Sequence, residues 1–220
     1  MKPMDFEQAR YNMIEQQVRP WDVLDQRVLD VMTTLPREAY VPQKYRSLAF
    51  ADISIPLGHD QVMMAPKLEG RLLQTLAIKP DDTVLEIGTG SGYLTACLAT
   101  LGQHVTSWEI FPELSEAAQA TLAEQDVRNV TLEVGDATRE VADEARYDVI
   151  AVTGSVPVLQ QQFHHNLKPG GRLFVITGKP PIMEALLITR LDADNWAQES
   201  LFETSLPPLV NATEPQRFAL

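Results

Sequence analysis

The sequence predicts an α/β fold: a mostly parallel β-sheet with flanking helices, an antiparallel hairpin at its edge and an N-terminal helical extension. Three observations carry that prediction. From Val84 onward, short apolar runs that suit buried strands alternate with stretches that suit helices. The first of these runs leads directly into a glycine-rich loop, Gly88-Thr89-Gly90-Ser91-Gly92, and then into an amphipathic stretch at Tyr93 to Leu101. Before this unit lies a long segment in which apolar residues recur at helical spacing.

In chain order, Asp5 is placed to cap a helix that runs to Val18 and is stopped by Pro20, and Leu24, Val28, Met32 and Leu35 mark a second helix. Proline and glycine make residues 35–61 a long structured loop directed to the glycine-loop side. After the glycine loop and its helix, strands are expected at His104 to Ile110, Val130 to Val134, Tyr147 to Thr153 and Arg172 to Thr177. Ala185 to Leu191 and Ser200 to Leu206 then form an antiparallel pair at the sheet edge. Residues 207–220 carry no clear pattern. A chain of 220 residues is too short for two large independent cores, so residues 1–80 are expected to form an acceptor cleft on a ligand-binding core at 81–220, as one integrated domain.

Composition narrows the partners. A formal charge of −12 opposes binding to a nucleic-acid backbone, which depends on clustered Lys and Arg. No secretory leader opens the sequence and no apolar run approaches membrane-spanning length, so a soluble cytoplasmic protein without a membrane partner is expected. The single cysteine, Cys97, shares an apolar helix face with Leu94, Leu98 and Leu101 and reads as core. His164 and His165 are adjacent and diverge on a helix, so they read as surface or cap residues and no metal site is expected.

The glycine loop is built to be occupied. Glycines let backbone approach a ligand closely, and the helix N-terminus beyond offers unpaired N–H groups. A dinucleotide fingerprint needs a third glycine where Tyr93 stands. The stretch from Glu86 to Gly92, Glu-x-Gly-x-Gly-x-Gly, instead resembles class I methyltransferases, whose Rossmann-like fold binds S-adenosyl-L-methionine and releases S-adenosyl-L-homocysteine. On that reading Glu86, Gly88, Thr89, Gly90, Ser91 and Gly92 shape the cofactor pocket. Glu109, about 20 residues past the loop, accepts hydrogen bonds from ribose hydroxyls. Ile110 lies against adenine, and Asp136 with Ala137 meets the adenine amine.

A narrower resemblance rests on several further elements: Asp25-Gln26-Arg27-Val28-Leu29, Pro-Arg-Glu-x-x-Val-Pro at 36–42, Pro-Leu-Gly-x-x-Gln at 56–61, Ala65-Pro66 and the whole Val84 to Tyr93 motif. Asn129-Val130, Gly135-Asp136, Tyr147-Asp148 and Leu167 to Leu173 follow in order. Together they resemble the protein-L-isoaspartate O-methyltransferases, which implies a repair enzyme that methylates the carboxylate of an isoaspartyl residue in a protein or peptide. The likeness breaks at the acceptor. The family pattern Gly-x-Gly-Gln-Thr-Ile-Ser-x-Pro corresponds to Gly58-His59-Asp60-Gln61-Val62-Met63-Met64-Ala65-Pro66, so Met64 takes the place of the active-site serine and Val62 that of the threonine.

Gln61, Val62 and Met64 are accordingly expected on the acceptor side, with Met63 as core filler or pocket wall. A carboxylate is ionised at neutral pH and needs no base before it attacks a sulfonium methyl, so alignment is the main catalytic task. Of the loop's titratable residues, only His59 and Asp60 form a pair. Ser155 is read either as a hydroxyl donor to the acceptor or as the cap of a helix beginning near Pro157. Three functions fit these residues: an isoaspartyl carboxyl methyltransferase with a remodelled pocket, a methyltransferase for another small acceptor, and a cofactor-binding protein without catalysis. A monomer or weak homodimer suits all three.

Overall fold

A computed structural model describes residues 5–141 and 146–214. Its centre is a seven-stranded sheet of order β5-β4-β3-β6-β7-β8-β9. The strands are β3 (Thr83–Ile87), β4 (His104–Glu109), β5 (Val130–Val134), β6 (Tyr147–Val156), β7 (Leu167–Lys179), β8 (Ile182–Arg190) and β9 (Trp196–Glu203). Strands β5 to β7 run parallel, and β8 and β9 close that end antiparallel. The edge pair begins earlier than the apolar runs suggest, because β9 is largely exposed and lacks the alternation that fixes register in a half-buried strand. The order reverses between β3 and β6, where adjacent loops part and leave a crevice at the strand ends.

Helices α4 (Tyr93–Leu101), α5 (Pro112–Glu124), α6 (Ala137–Glu140) and α7 (Gln161–His165) follow strands of this sheet. Helix α4 is buried on nearly all sides, Cys97 included. His165 ends the short α7, and half-buried His164 lies over Trp196 with ring centroids 5.8 Å apart. The N-terminal segment supplies α1 (Phe6–Met13), α2 (Gln26–Thr34) and α3 (Pro66–Leu76). Asp5 caps α1 as expected, but the helix loosens into a π-turn over Ile14–Val18 and a 3-10 turn over Arg19–Trp21. Pro20 does not stop the chain there, since its missing N–H falls at the start of that tighter turn, where a helix has no partner for it. The long loop contains a small hairpin, β1 (Ile55–Gly58) with β2 (Gln61–Met63). Helix α3 packs so closely that a Cβ on Gly70 would lie 3.0 Å from Val18 and 3.3 Å from Met32 Sδ.

Candidate functional site

The crevice is a cleft of ≈ 850 Å³ lined by three stretches of sequence, residues 57–69, 87–154 and 206–210. One wall grows from the ends of β3, β4, β5 and β6. Strand β3 delivers the glycine loop, and Gly88 turns at φ +98, where a Cβ would collide with the Thr153 hydroxyl. That hydroxyl donates to Ile87 O at 2.9 Å and to Gly88 O at 2.7 Å, which ties β6 to the loop. Gly90 N donates to Glu109 Oε2 at 2.9 Å, and Phe111 N to Glu109 Oε1 at 3.1 Å. The carboxylate at the end of β4 is therefore fixed by two backbone amides beside the loop.

Gly88, Thr89, Gly90, Ser91, Glu109, Ile110, Asp136 and Ala137 all line the cleft. Glu86 and Gly92 do not. Gly92 sits at φ +81 as the N-cap of α4, where a Cβ would lie 3.2 Å from Ala118. Glu86 is wholly buried beneath the loop, its Oε2 accepting from Thr95 Oγ1 at 2.5 Å and Ser107 Oγ at 2.6 Å. Ser107 and Thr89 hydroxyls lie 2.6 Å apart, so this network reaches the loop itself. Glu86 Oε1 is buried without a hydrogen-bond partner among the described residues. Burial pushes the Glu86 carboxyl up to about 8, against the pull of the Ser107 and Thr95 hydroxyls.

Asp136 caps α6, and its Oδ1 accepts from Thr138 N at 3.0 Å and Thr138 Oγ1 at 2.5 Å. Its Oδ2 accepts from Asn211 Nδ2 at 3.0 Å. Burial raises this carboxyl, but the Thr138 and Asn211 hydrogen bonds outweigh it and leave it below its ordinary range. Asn211 belongs to a C-terminal segment in which Leu206, Pro207, Leu209 and Val210 also line the cleft. Ser155 holds that segment: its N–H donates to Pro207 O at 2.9 Å, its carbonyl accepts from Leu209 N at 2.8 Å, and its hydroxyl donates to Leu206 O at 2.8 Å. Neither role expected for Ser155 survives, because it lies within β6 and its hydroxyl is committed to Leu206. Residues 215–220 lie outside the described residues.

The second wall comes from the hairpin and the start of α3. Leu57, Gln61, Val62, Met63 and Met64 line it, with Glu69 from the first turn of α3. Met63 and Met64 are both buried. The hairpin tip folds toward α5: His59, at φ 50, stacks on Phe111 with ring centroids 4.2 Å apart. Gln61 Nε2 donates back to His59 O at 3.2 Å. Neither His59 nor Asp60 lines the cleft.

Beneath this wall is a fully buried arginine that sequence reasoning treated only as part of a motif. Arg37 Nε donates to Ala49 O at 2.8 Å, one terminal nitrogen donates to Met64 O at 2.7 Å, and the other pairs with Glu69 Oε2. Its guanidinium also lies 4.8 Å from the Tyr93 ring centroid. The neighbouring Glu38 faces the other way and takes both oxygens onto Arg10 at 2.7 and 2.8 Å. The signal for Glu69 lay in its position: a carboxylate within the stripe Leu68, Leu72, Leu73 and Leu76 has to be buried with a cation or left neutral. Burial pushes the Glu69 carboxyl up to about 7, although Arg37 draws it down.

Among the described residues, no group of three or more His, Cys, Asp or Glu could hold a metal, and no helix is long and apolar enough to cross a membrane. The family model for protein-L-isoaspartate(D-aspartate) O-methyltransferase matches residues 8–214. A protein-L-isoaspartate O-methyltransferase of Koribacter versatilis is 35% identical over 201 residues, covering 91% of this chain and 90% of the relative. One of Rhodopseudomonas palustris is 36% identical over 201 residues, covering 91% and 92%. A crystal structure from Plasmodium falciparum, assigned to the same enzyme class and in complex with S-adenosyl-L-homocysteine, superposes with a TM-score of 0.80. At 18% identity, covering 94% of this chain and 98% of that one, it supports the fold.

Proposed function

We infer the activity of this chain from the family to which it belongs, the protein-L-isoaspartate(D-aspartate) O-methyltransferases. It transfers a methyl group from S-adenosyl-L-methionine to the carboxylate of an isoaspartyl residue in a protein or peptide. The observation that carries this reading is the single cleft shared by a nucleotide-type loop with its strand-end carboxylates and an apolar hairpin wall. The residues fit the cofactor. Close backbone approach at Gly88 and Gly90 suits its methionine part, and the amide-fixed Glu109 suits ribose hydroxyls. Asp136 suits the adenine amine, shared with Asn211.

Bound S-adenosyl-L-methionine supplies an electrophilic methyl on a sulfonium centre. A carboxylate accepting that methyl would need no base, because it is already ionised at neutral pH. What the chain contributes is alignment and dryness. Arg37 fixes the Met64 carbonyl and hence the end of the hairpin wall. Leu57, Val62, Met63 and Met64 keep water from the reacting atoms, which strengthens the electrostatic contacts that remain. Label from methyl-labelled cofactor should enter base-labile ester on an isoaspartyl peptide and not on its normal aspartyl isomer. Equal labelling of both peptides, or of neither by protein that binds S-adenosyl-L-homocysteine, would overturn the reading.

A further inference from the structure

An acceptor carboxylate held against this hairpin wall needs a hydrogen-bond donor, and the wall offers few. Of Leu57, Gln61, Val62, Met63, Met64 and Glu69, only Gln61 and Glu69 have polar side chains. The Gln61 amide turns back to the hairpin tip, where one of its N–H groups donates to His59 O. Glu69 is anchored through Oε2 alone, on Arg37, and its Oε1 takes no hydrogen bond from any described residue. We propose that Glu69, in its protonated form, is the donor that orients the acceptor carboxylate, doing from α3 what no side chain at Val62 or Met64 can do. This rests on the carboxyl-methyltransferase reading above.

The surroundings favour a proton there once substrate enters. Facing Glu69 are Arg37 from the 3-10 turn Arg37–Ala39, Glu86 from β3, and Tyr93 and Cys97 from α4. Burial drives Tyr93 and Cys97 well above their ordinary range, so both stay neutral, and Glu86 is largely neutral below about 8. Arg37 is thus the charged partner of Glu69. Before substrate binds, Arg37 is balanced by ionised Glu69. When an acceptor carboxylate enters, it can balance Arg37 instead, and Glu69 takes up a proton and donates through it. Glu69 keeps that proton through methyl transfer, so it positions the nucleophile without acting as an acid or base.

The test is a pH profile of the intact protein with an isoaspartyl peptide that has no group titrating between pH 6 and 9. Initial rates are followed by release of S-adenosyl-L-homocysteine, because the ester product is base-labile. For the wild type, kcat/KM should fall about tenfold per pH unit above an apparent pKa near that of the free-enzyme Glu69 carboxyl, about 7. Glu69→Gln keeps a donor toward substrate and an acceptor toward Arg37, so it should retain activity with that fall abolished. Glu69→Leu should lose about one to two decades in kcat/KM at pH 7 while still binding S-adenosyl-L-homocysteine. If the wild-type profile is flat, or if Glu69→Gln keeps the wild-type fall, the proposal is overturned while the methyltransferase reading stands. A purely structural Glu69 would lower the melting temperature in both variants and leave the shape of the profile unchanged. No turnover by the wild type at any pH overturns both readings.

Discussion

The two walls of the cleft are built by different means. The wall proposed to hold the cofactor is made by strand ends: Gly88 to Ser91 after β3, Glu109 and Ile110 at β4, Asp136 beyond β5 and Thr153 in β6, each placed by its own position in the sheet. The wall proposed to face the acceptor has no such scaffold. It is a short hairpin and one helical turn, held from behind by Arg37, whose partners Ala49, Met64 and Glu69 come from three separate segments. A wall fixed by a sheet tolerates loss of one side chain, whereas a wall fixed by one cation does not. Selection for a new acceptor can therefore act on the second wall without disturbing the first.

The largest effect should come from removing that cation. Arg37→Met leaves Glu69 buried without its partner and two carbonyls without donors, a loss of about 3–5 kcal/mol. The denaturant midpoint should fall accordingly, and in Arg37→Met/Glu69→Met much of the loss should return, because the uncompensated carboxylate is gone. If the double variant is no more stable than the single one, the pair is not what fixes the second wall. The double variant should also bind S-adenosyl-L-homocysteine normally, which is the sharper statement that the walls are independent.

A second effect separates the walls by their buried carboxyls. Glu69 and Glu86 are both raised above the ordinary 4.5, to about 7 and about 8, by burial. A raised folded-state pKa means the folded protein holds protons that the unfolded chain has lost. The associated stability is complete below about 4.5, and it is lost as pH rises through about 7 for Glu69 and about 8 for Glu86. Each such proton gives a slope of about 1.4 kcal/mol per pH unit, so urea unfolding should show about 3–4 kcal/mol less stability at pH 8 than at pH 6. Glu86→Gln should remove most of the slope between pH 7 and 8 and about half of it below pH 7, and Glu69→Gln the other half below pH 7. A slope untouched by either variant would place the titrating group elsewhere.

Next in size is Glu109, the carboxylate proposed to meet the ribose hydroxyls. Glu109→Ala removes a charged acceptor that backbone amides have already fixed, and affinity for S-adenosyl-L-homocysteine should fall by about 1.5–3 kcal/mol, roughly 10- to 150-fold. Titration calorimetry measures it directly. Unchanged affinity would remove Glu109 from the site and with it the best-ordered part of the cofactor wall.

The same contrast explains what could be read from the sequence. The cofactor wall was legible because strand, loop and helix are contiguous, and because Glu109 and Asp136 end strands whose apolar runs are plain. Even there, Glu86 and Gly92 lie under the surface, since a motif gives spacing but not which side chains the following helix covers. The acceptor wall was legible only as a list of loop residues. The pairing of Arg37 with Glu69 spans 32 positions, and nothing local announces it beyond a carboxylate in an apolar stripe. Hairpin β1–β2 was hidden as well. Its strands are short, one contains Pro56, and its turn puts His59 and Asp60 at positive φ without the Asn-Gly signature that marks such turns.

The smallest effect tests whether the C-terminal segment belongs to the cofactor wall. Ser155 holds residues 206–210 at the cleft by three hydrogen bonds, two through its backbone and one through its hydroxyl. Ser155→Ala keeps the backbone pair and loses the hydroxyl bond to Leu206 O, so stability should drop by only about 1 kcal/mol. Asn211, farther along the same segment, binds Asp136 at the place assigned to adenine. Loosening the segment should therefore weaken S-adenosyl-L-homocysteine by a few-fold and leave the KM for an isoaspartyl peptide unchanged. An increase in peptide KM with cofactor affinity intact would move the segment to the other wall, and the acceptor cleft would then be framed from both ends of the chain.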